Sequence, residues 1–556
     1  MTDQALVIGA DYGTNSARYI VANAITGKII AEHVYDYEGG EFGIILNPAN
    51  PVYARQDPNE YFKAFHACMD SILKQLDQKG FDREDIVGIG TDTTGSTPIP
   101  VDSELNPIGN AWLWKDKTSA KVANSFNILV RDPLSTDYTR YTGGLTSPEW
   151  ILSKVIQLAI EQPKQFRESA SFVEHCDLMP AWMAGQTNPQ EIYRSRCAAG
   201  HKAHFHEDWA GLPSQKFISQ LGEEVGIRDS RLDNLIERLY TLDRVVTADK
   251  PIGYLKKELA QRYGLNDNVA IAAGAFDAHM GAVGVGIKPG VLSKIMGTST
   301  CDMLVSSVDD EKLIPGICGQ VRGSIIPGMV GYEAGQSSAG DTLAWFRNLF
   351  LRSRMRVDDD KELRASDRDK SDEYAFLERN AAGYGPKFVN ILASDYFNGI
   401  RTPDVDPGAY GMLLGLRLTD APGKVYRALI EAVAYGANAI INRITENRLD
   451  IDEVIACGGL TSSDLVMQLH ADITGKPFRI SSVKQTCALG AAMFAAVAAG
   501  IYDKVEDAQA AMNPVKTRFA KTYTPDMQAH QCYDKKFLRY KQTREQVLPM
   551  VKTVLR

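Results

Sequence analysis

The sequence lacks the features of a secreted, membrane-spanning or metal-bridged protein. Its 8 cysteines are scattered over 556 residues without a C-x-x-C pair, which is typical of reduced thiols rather than of disulfides or a zinc site. No basic segment followed by an apolar core opens the chain, so a secretory signal is not expected. The longest apolar stretch, residues 488–502, is shorter than the roughly 20 residues of a membrane-spanning helix. We therefore predict a cytoplasmic protein in which this stretch forms a tightly packed buried helix.

Basic runs interleaved with aromatic residues are also missing, and the formal net charge is −8. Such a chain has no long-range attraction to nucleic acid or to anionic lipid, so neither is expected as a partner. A small anion such as ATP remains compatible, because a few local hydrogen-bond donors can bind it inside a negatively charged protein. Composition does not determine the oligomeric state, and a homodimer is one candidate.

The length of the chain predicts two domains, because one hydrophobic core usually organises no more than about 250 to 300 residues. Short apolar strands alternate with helical patterns, which favours an α/β architecture. The glycine-rich stretch 281–290 is interpreted as an inter-domain hinge. The predicted domains are accordingly residues 1–285 and 286–556.

Two strand–turn–strand units support the division into halves of similar construction. The first has strands at residues 5–10 and 17–22, and the second has strands at residues 291–296 and 301–305. Farther along, apolar residues recur at helical spacing and predict a core-facing helix; they are Val425, Leu429, Val433, Gly436, Ile440 and Ile444.

The turns of the two units are candidate phosphate-binding turns. They read Asp-Tyr-Gly-Thr-Asn-Ser at residues 11–16 and Gly-Thr-Ser-Thr at residues 297–300. Backbone N–H groups of such turns can face a phosphate, and the aspartate can hold a metal-bound water. An ordinary Asx-type turn is the structural alternative for the first of them. The candidate residues are Asp11, Gly13, Thr14, Asn15, Ser16, Gly297, Thr298 and Ser299.

No Walker A loop is present, and the protein-kinase motifs H-R-D and D-F-G are absent. A nucleotide must therefore be bound by another architecture. Gly458 and Gly459 follow an apolar run and precede a helical segment, which leaves room for a base or a ribose. Ser462 belongs to the same candidate site, although Ser462 or Ser463 could instead cap the helix.

Asp277 follows an apolar strand and precedes the glycine-rich stretch. It is a candidate base that accepts the proton of a substrate hydroxyl during phosphoryl transfer. The alternative is a helix N-cap, a position that aspartate often occupies. Spacing alone does not decide between the two.

Several other polar groups stand in small or apolar surroundings, as the binding of a sugar requires. They are Asp92, Ser96, Lys202 and Glu333, with Trp114 as a candidate stacking partner. Each of them also fits a structural hydrogen bond or ion pair. His201, His204 and His206 lie close in sequence but lack the accompanying ligand pattern of a metal site. Residues 352–380 are densely charged and are interpreted as a solvated helix or insertion.

These motifs together resemble the FGGY carbohydrate kinases, a family with the actin-like fold that includes glycerol kinase and xylulokinase. The resemblance covers roughly residues 5–500. Its general marks are the two phosphate turns and the Gly-Gly pair. Narrower marks, such as residues 92–98, 196–202 and 397–403, are similar to the branch of the family that phosphorylates L-ribulose.

The resemblance implies two actin-like (ribonuclease H-like) α/β domains that close over a sugar and ATP with Mg²⁺. It implies Asp277 as the catalytic base, Asp11 near Mg²⁺, and Gly95, Lys202, Asp277 and Glu333 around the sugar. The implied reaction converts L-ribulose to L-ribulose 5-phosphate, a step of L-arabinose catabolism.

Two alternatives remain open at this stage. One is a kinase of the same family that acts on D-ribulose, D-xylulose or a pentitol. The other is a nucleotide-dependent binding protein of the same fold without phosphoryl transfer, because the fold alone does not specify an activity.

Overall fold

The computed structural model describes residues 5–352 and 370–555. The predicted α/β class is confirmed, since two seven-stranded sheets are surrounded by helices. The helices and strands of the first half are β1 (Leu6–Tyr12), β2 (Ser16–Asn23), β3 (Ile29–Asp36), β4 (Ile45–Asn47), β5 (Asn50–Gln56), α1 (Asn59–Gln78), β6 (Ile86–Thr93), β7 (Pro98–Val101), β8 (Ala111–Trp112), α2 (Ala120–Leu129), α3 (Ile151–Glu161), α4 (Pro163–Glu168), β9 (Ser171–Glu174), α5 (His175–Met183), β10 (Arg194–Ser195), α6 (Arg196–Lys202), α7 (Gln215–Val225), α8 (Leu235–Leu239), β11 (Val245–Val246), β12 (Pro251–Tyr254), α9 (Lys257–Tyr263), β13 (Ala270–Ala272), β14 (Ala275–Phe276) and α10 (Asp277–Gly284).

The second half continues the alternation of strands and helices. Its helices and strands are β15 (Gly290–Met296), β16 (Thr300–Ser307), β17 (Gly319–Arg322), β18 (Met329–Ala334), α11 (Gly340–Arg347), α12 (Lys370–Ala382), β19 (Leu392–Ala393), β20 (Leu413–Leu414), α13 (Pro422–Glu446), β21 (Ile451–Cys457), α14 (Asp464–Thr474), β22 (Phe478–Ser481), α15 (Thr486–Ala498), α16 (Val505–Met512), β23 (Phe519–Tyr523), α17 (Met527–Gln542) and α18 (Leu548–Val554).

Both predicted strand–turn–strand units are antiparallel hairpins, and each occupies an equivalent place in its sheet. In the first sheet, of order β12-β13-β6-β1-β2-β3 with β14 also on β6, strand β1 pairs with β2 and runs parallel to β6. In the second sheet, of order β17-β18-β16-β15-β21-β22-β23, strand β15 pairs with β16 and runs parallel to β21. The similar construction of the two halves is thereby confirmed.

Helix α15 confirms the prediction of a tightly packed buried helix. Its backbone lies directly on the first sheet, because a Cβ atom at Gly9 would stand 1.8 Å from the Ala488 carbonyl oxygen and one at Gly90 would stand 2.0 Å from that of Ala491. Glycine is required for such a close approach of helix and strand. A helix from the second half of the chain therefore packs against the sheet of the first half.

The glycine-rich stretch 281–290 is not a loop throughout, and the prediction of a hinge is wrong for its first four residues. They belong to helix α10 and are buried. A Cβ atom at Gly284 would lie 1.9 Å from the carbonyl oxygen of Thr486 in α15. These glycines serve helix–helix packing rather than flexibility. The boundary between residues 285 and 286 stays a prediction.

Two further segments were predicted from the spacing of apolar residues and from charge. Helix α13 has its apolar positions buried, including Leu429, Val433 and Ile440, as the spacing predicted. Of the charged segment 352–380, residues 353–369 lie outside the described part of the chain, and the rest is mostly helix α12. In the described ranges, no helix has the length and apolar character that crossing a membrane requires.

Candidate functional site

A polar cavity of about 170 Å³ lies between the two halves of the chain, and we call it the central cavity. A smaller adjoining cavity of about 100 Å³ shares Lys202, Glu333 and Arg401 with it. The central cavity is lined by side chains from both halves, among them Thr14, Gly95, Trp114, Glu149, Lys202, Asp277, Ser299, Glu333 and Arg401.

The two candidate phosphate turns approach this cavity from opposite sheets. Each turn is closed by a 2.9 Å backbone hydrogen bond, from Gly13 N to Ser16 O and from Gly297 N to Ser299 O. Thr14 and Ser299 line the central cavity, and Trp114 Nε1 donates to Thr14 Oγ1 at 3.0 Å. Asn15 points elsewhere, because its amide donates to the Phe42 carbonyl.

Asp11 and Asp92 form a buried pair of carboxylates behind the first turn. They are register partners on the parallel strands β1 and β6, so their side chains emerge side by side. Arg18 lies 3.4 Å from Asp11, whereas the carboxylate oxygens of Asp92 have no hydrogen-bond partner among the described residues other than the facing Asp11 carboxyl group. Burial, followed by the charge of Asp11, raises the pKa of Asp92 well above its ordinary value.

Asp277 is the first residue of helix α10, where strand β14 ends beside β6. The N-cap position belongs to Phe276, and Asp277 Oδ1 accepts the backbone N–H of Ala278 at 2.6 Å. Burial, with a smaller contribution from the charge of Asp11, raises the pKa of Asp277 to about 7. A carboxyl group with such a pKa near neutrality suits proton transfer.

Lys202 and Glu333 face each other in the central cavity. Lys202 Nζ lies 2.7 Å from Oε1 and 2.9 Å from Oε2 of Glu333. Burial alone would raise the pKa of Glu333, but Lys202, together with His201 and His279, outweighs it and lowers the pKa to about 2. The pair therefore stays charged and presents donor and acceptor groups to one ligand.

Gly95 and Ser96 lie at the wall of the central cavity, but they face different ways. A Cβ atom at Gly95 would lie 2.3 Å from the Phe276 ring, so only glycine fits where this backbone borders the cavity. The Ser96 hydroxyl is buried and donates to Glu174, away from the cavity. Lys154 Nζ donates to the Ser96 carbonyl at 2.8 Å and supports the turn from behind.

A second, larger cavity of about 610 Å³ lies in the second half and is continuous with the second phosphate turn. The candidate nucleotide-site residues Gly297, Thr298, Gly459 and Ser462 line it, and we call it the nucleotide cavity after that prediction. Ser463, not Ser462, caps helix α14, because Ser463 Oγ accepts from Val466 N. Gly458 lies against β15, where a Cβ atom would stand 2.6 Å from the Met296 carbonyl oxygen.

Sequence reasoning missed several residues of these cavities. Tyr374 and Glu378 of helix α12 line the nucleotide cavity, although their charged segment was interpreted as solvated. Helix α11 also contributes Gly340 and Asp341. A helical pattern in residues 370–382 with an aromatic residue on one face was the available signal, but the surrounding charges concealed it.

The three neighbouring histidines do not meet. His204 is held by Thr146 Oγ1 at 2.7 Å and by the Tyr138 carbonyl, and His206 stacks on Tyr141. Only His201 approaches the central cavity, with Nδ1 at 3.4 Å from Glu333 Oε2. His204 and His206 thus have packing roles in the fold, whereas His201 lies together with His279 and Glu333.

Sequence comparison finds the same family over most of the chain. The N-terminal domain model of the FGGY family of carbohydrate kinases matches residues 6–284, and the C-terminal domain model matches residues 292–499. A ribulokinase from Vibrio parahaemolyticus is 38% identical, with 97% of this chain and 96% of the relative covered. A ribulokinase from Geobacillus thermodenitrificans is 35% identical, with 96% and 93% covered.

Solved structures share the fold. A xylulose kinase from Rhodospirillum rubrum superposes with a TM-score of 0.78 at 19% identity, covering 98% of this chain and 99% of the other. A glycerol kinase from Plasmodium falciparum with ADP superposes with a TM-score of 0.75 at 16% identity, covering 98% of each chain. The chain belongs to the FGGY family of carbohydrate kinases and is an ATP-dependent kinase with the two-domain α/β fold of that family.

Proposed function

We propose that this kinase transfers the γ-phosphoryl group of ATP to the 5-hydroxyl of L-ribulose, giving L-ribulose 5-phosphate and ADP in the cytoplasm as a step of L-arabinose catabolism. The observation that carries the proposal is the central cavity, where Thr14 and Ser299 of the two phosphate turns meet Asp277, Lys202 and Glu333. The names and near full-length similarity of the relatives support ribulose as the substrate.

Asp277 is proposed as the catalytic base. Its carboxylate accepts the proton of the 5-hydroxyl as the sugar oxygen forms a bond to the γ-phosphorus. The bond between that phosphorus and the bridging oxygen breaks, and ADP leaves with the electron pair. Positioning and charge neutralisation supply most of the rate enhancement in such a transfer.

Lys202, Glu333 and the backbone at Gly95 are proposed to hold the sugar. Lys202 donates to sugar hydroxyl or carbonyl oxygens, Glu333 accepts from hydroxyls, and Gly95 leaves space for the carbon chain. The Ser96 hydroxyl donates to Glu174 and does not contact the sugar. Ser96 contributes by holding the backbone turn that it shares with Gly95.

The nucleotide is proposed to span both cavities. Adenosine occupies the nucleotide cavity beside Gly458, Gly459 and Ser462, and the phosphates lie between the two turns. Small residues allow the backbone N–H groups to approach the phosphate oxygens closely.

Asp11 and Asp92 fit a magnesium ion, because hard cations prefer carboxylate oxygens and those of Asp92 have no partner in the described residues other than Asp11. Their oxygen atoms and Cys487 Sγ lie within 4.8 Å of one another. When bound, Mg²⁺ would neutralise negative charge on the ATP phosphates.

The proposal is tested by ADP release over the four ketopentoses and their pentitols. We expect L-ribulose to give the highest kcat/KM, with a product phosphorylated at carbon 5. A higher kcat/KM for D-ribulose, D-xylulose or a pentitol would reassign the substrate. If no ketopentose or pentitol stimulated ADP release, the assignment as a sugar kinase would be wrong. The alternative of a nucleotide-dependent binding protein would then remain.

A further inference from the structure

Arg401 is a cation of the central cavity to which neither the sequence motifs nor the proposed mechanism gives a role. It lies in the segment 397–403. Ile400, the residue before it, pairs with Asp406 in an isolated β-bridge, and the cis peptide bond between Thr402 and Pro403 follows it. It lines both the central cavity and its smaller neighbour. Its guanidinium therefore stands where the sugar-binding and phosphate-binding parts of the site meet.

The guanidinium is held in place by main-chain carbonyl groups. Arg401 Nη2 donates to the carbonyl oxygen of Thr300 at 2.5 Å and to that of Gln336 at 3.3 Å. Thr300 is the residue that follows Ser299 of the second phosphate turn. A Cβ atom at position 335 would stand 3.0 Å from Nη2 and 2.1 Å from the Thr300 oxygen, so Gly335 is what leaves room for this contact.

The charge of Arg401 is not paired within the described protein, although Glu149 and Glu333 of the same cavity favour its charged form from beyond ion-pair distance. The other cation of the cavity wall, Lys202, is bound by both oxygens of Glu333. Arg401 forms no ion pair with a carboxylate of the described residues, and its buried Nε has no hydrogen-bond partner there. Leaving a buried donor unsatisfied is unfavourable, so such a group is expected to meet a ligand.

We propose that Arg401 binds the phosphoryl group during and after its transfer to the sugar. Guanidinium presents a planar set of donors that matches phosphate oxygens and stays charged at any physiological pH. The anchoring by Nη2 fixes the guanidinium at the wall of the cavity that Ser299 and Asp277 also line. This role rests on the proposed function, because it assigns Arg401 to the phosphate of the same sugar product.

The test compares Arg401→Met and Arg401→Lys with the wild type. The matched control is Arg544→Met, because Arg544 also donates to main-chain carbonyls, those of Pro403 and Asp404, without lining the central cavity. Calorimetry measures affinity for L-ribulose and for L-ribulose 5-phosphate, rapid quench measures single-turnover transfer, and thermal melting monitors the fold.

For Arg401→Met we expect single-turnover transfer to slow by about 10² to 10³, the range for loss of one charge-stabilising donor. The sugar phosphate should lose at least about tenfold more affinity than the unphosphorylated sugar, because a charge-assisted contact to phosphate is strong. Arg401→Lys should recover part of both losses. Arg544→Met should behave like the wild type in both.

Equal losses of affinity for sugar and sugar phosphate in Arg401→Met would overturn the proposal and leave Arg401 as a structural residue. Transfer within threefold of the wild type would do the same. A wild type that transfers no phosphoryl group to L-ribulose would instead refute the proposed function. The binding comparison still decides the role of Arg401 in that case, since it needs no turnover.

Discussion

Lys202 and Glu333 join the two halves of the chain across the central cavity. They are 131 residues apart in sequence, yet Nζ lies 2.7 Å and 2.9 Å from the two carboxylate oxygens. Both side chains are almost fully buried. Under the proposed function each group has two roles, to neutralise the charge of the other and to contact the sugar.

Replacing Lys202 with Met is expected to raise the sugar KM by at least about tenfold and to leave the ATP KM nearly unchanged, because of the two substrates only the sugar loses a contact. The variant should also lose roughly 3 to 5 kcal/mol of stability, since a buried carboxylate remains unpaired. Steady-state kinetics and denaturant unfolding measure the two effects.

The double variant Lys202→Met with Glu333→Gln serves as the control for that prediction. It should regain much of the lost stability, because no unpaired charge is left, but it should not regain sugar affinity. An equal rise of the sugar and ATP KM values in Lys202→Met would identify a purely structural lysine.

The pH dependence of sugar phosphorylation should report the ionisation of Asp277. A base acts in its deprotonated form, and burial followed by the charge of Asp11 raises its pKa to about 7. The value of kcat/KM should therefore fall as pH decreases, with a slope of one below the midpoint. A cation at Asp11 would shift that midpoint below 7. A flat profile between about pH 5 and 8 would speak against Asp277 as the base.

Magnesium is expected to stabilise the protein without nucleotide. Asp11 and Asp92 are buried together, and burial raises the pKa of both carboxyl groups. A cation that binds the ionised pair only in the folded state stabilises that state. Adding Mg²⁺ at about 100 times its Kd should raise the stability by roughly 2.7 kcal/mol, visible as a higher melting temperature. Asp92→Asn should reduce this shift. An identical shift in the variant would place the cation elsewhere.

Gly459 offers a way to block the nucleotide cavity without disturbing the fold. A Cβ atom there meets nothing within 4 Å, so Gly459→Val is expected to fold normally and to fill part of the cavity. The KM for ATP should rise by about tenfold or more while sugar affinity stays unchanged. Gly383→Val, also in open space, is the matched control. Unchanged ATP kinetics in Gly459→Val would exclude this cavity as the adenosine site.

Local patterns predicted much of the fold. The hairpins β1–β2 and β15–β16 follow from short apolar runs around polar turns, and α13 and α15 follow from the spacing and length of apolar residues. These elements depend on neighbours in sequence. The first residues of the proposed hinge were misjudged because glycines that allow α10 to pack against α15 look the same as glycines that allow bending.

The candidate site was predicted residue by residue but not as an arrangement. The pairing of Lys202 with Glu333 and of Asp11 with Asp92 depends on the packing of the two halves and on strand register, which short motifs do not encode. Tyr374 and Glu378 were missed because their place at the cavity depends on how α12 packs against α13 and α11. The catalytic and binding roles assigned to individual residues stay predictions.

The most direct test of the account is single-turnover phosphoryl transfer by Asp277→Asn, with L-ribulose and ATP at saturation. Asn keeps the shape of the side chain but cannot accept the proton, so the rate should fall by about 10² to 10⁴. Calorimetry should show that sugar and ATP still bind, and the melting temperature at pH 8 should not decrease, because a buried negative charge has been removed. A rate near that of the wild type would contradict the central claim that Asp277 is the base of a sugar kinase site in this cavity.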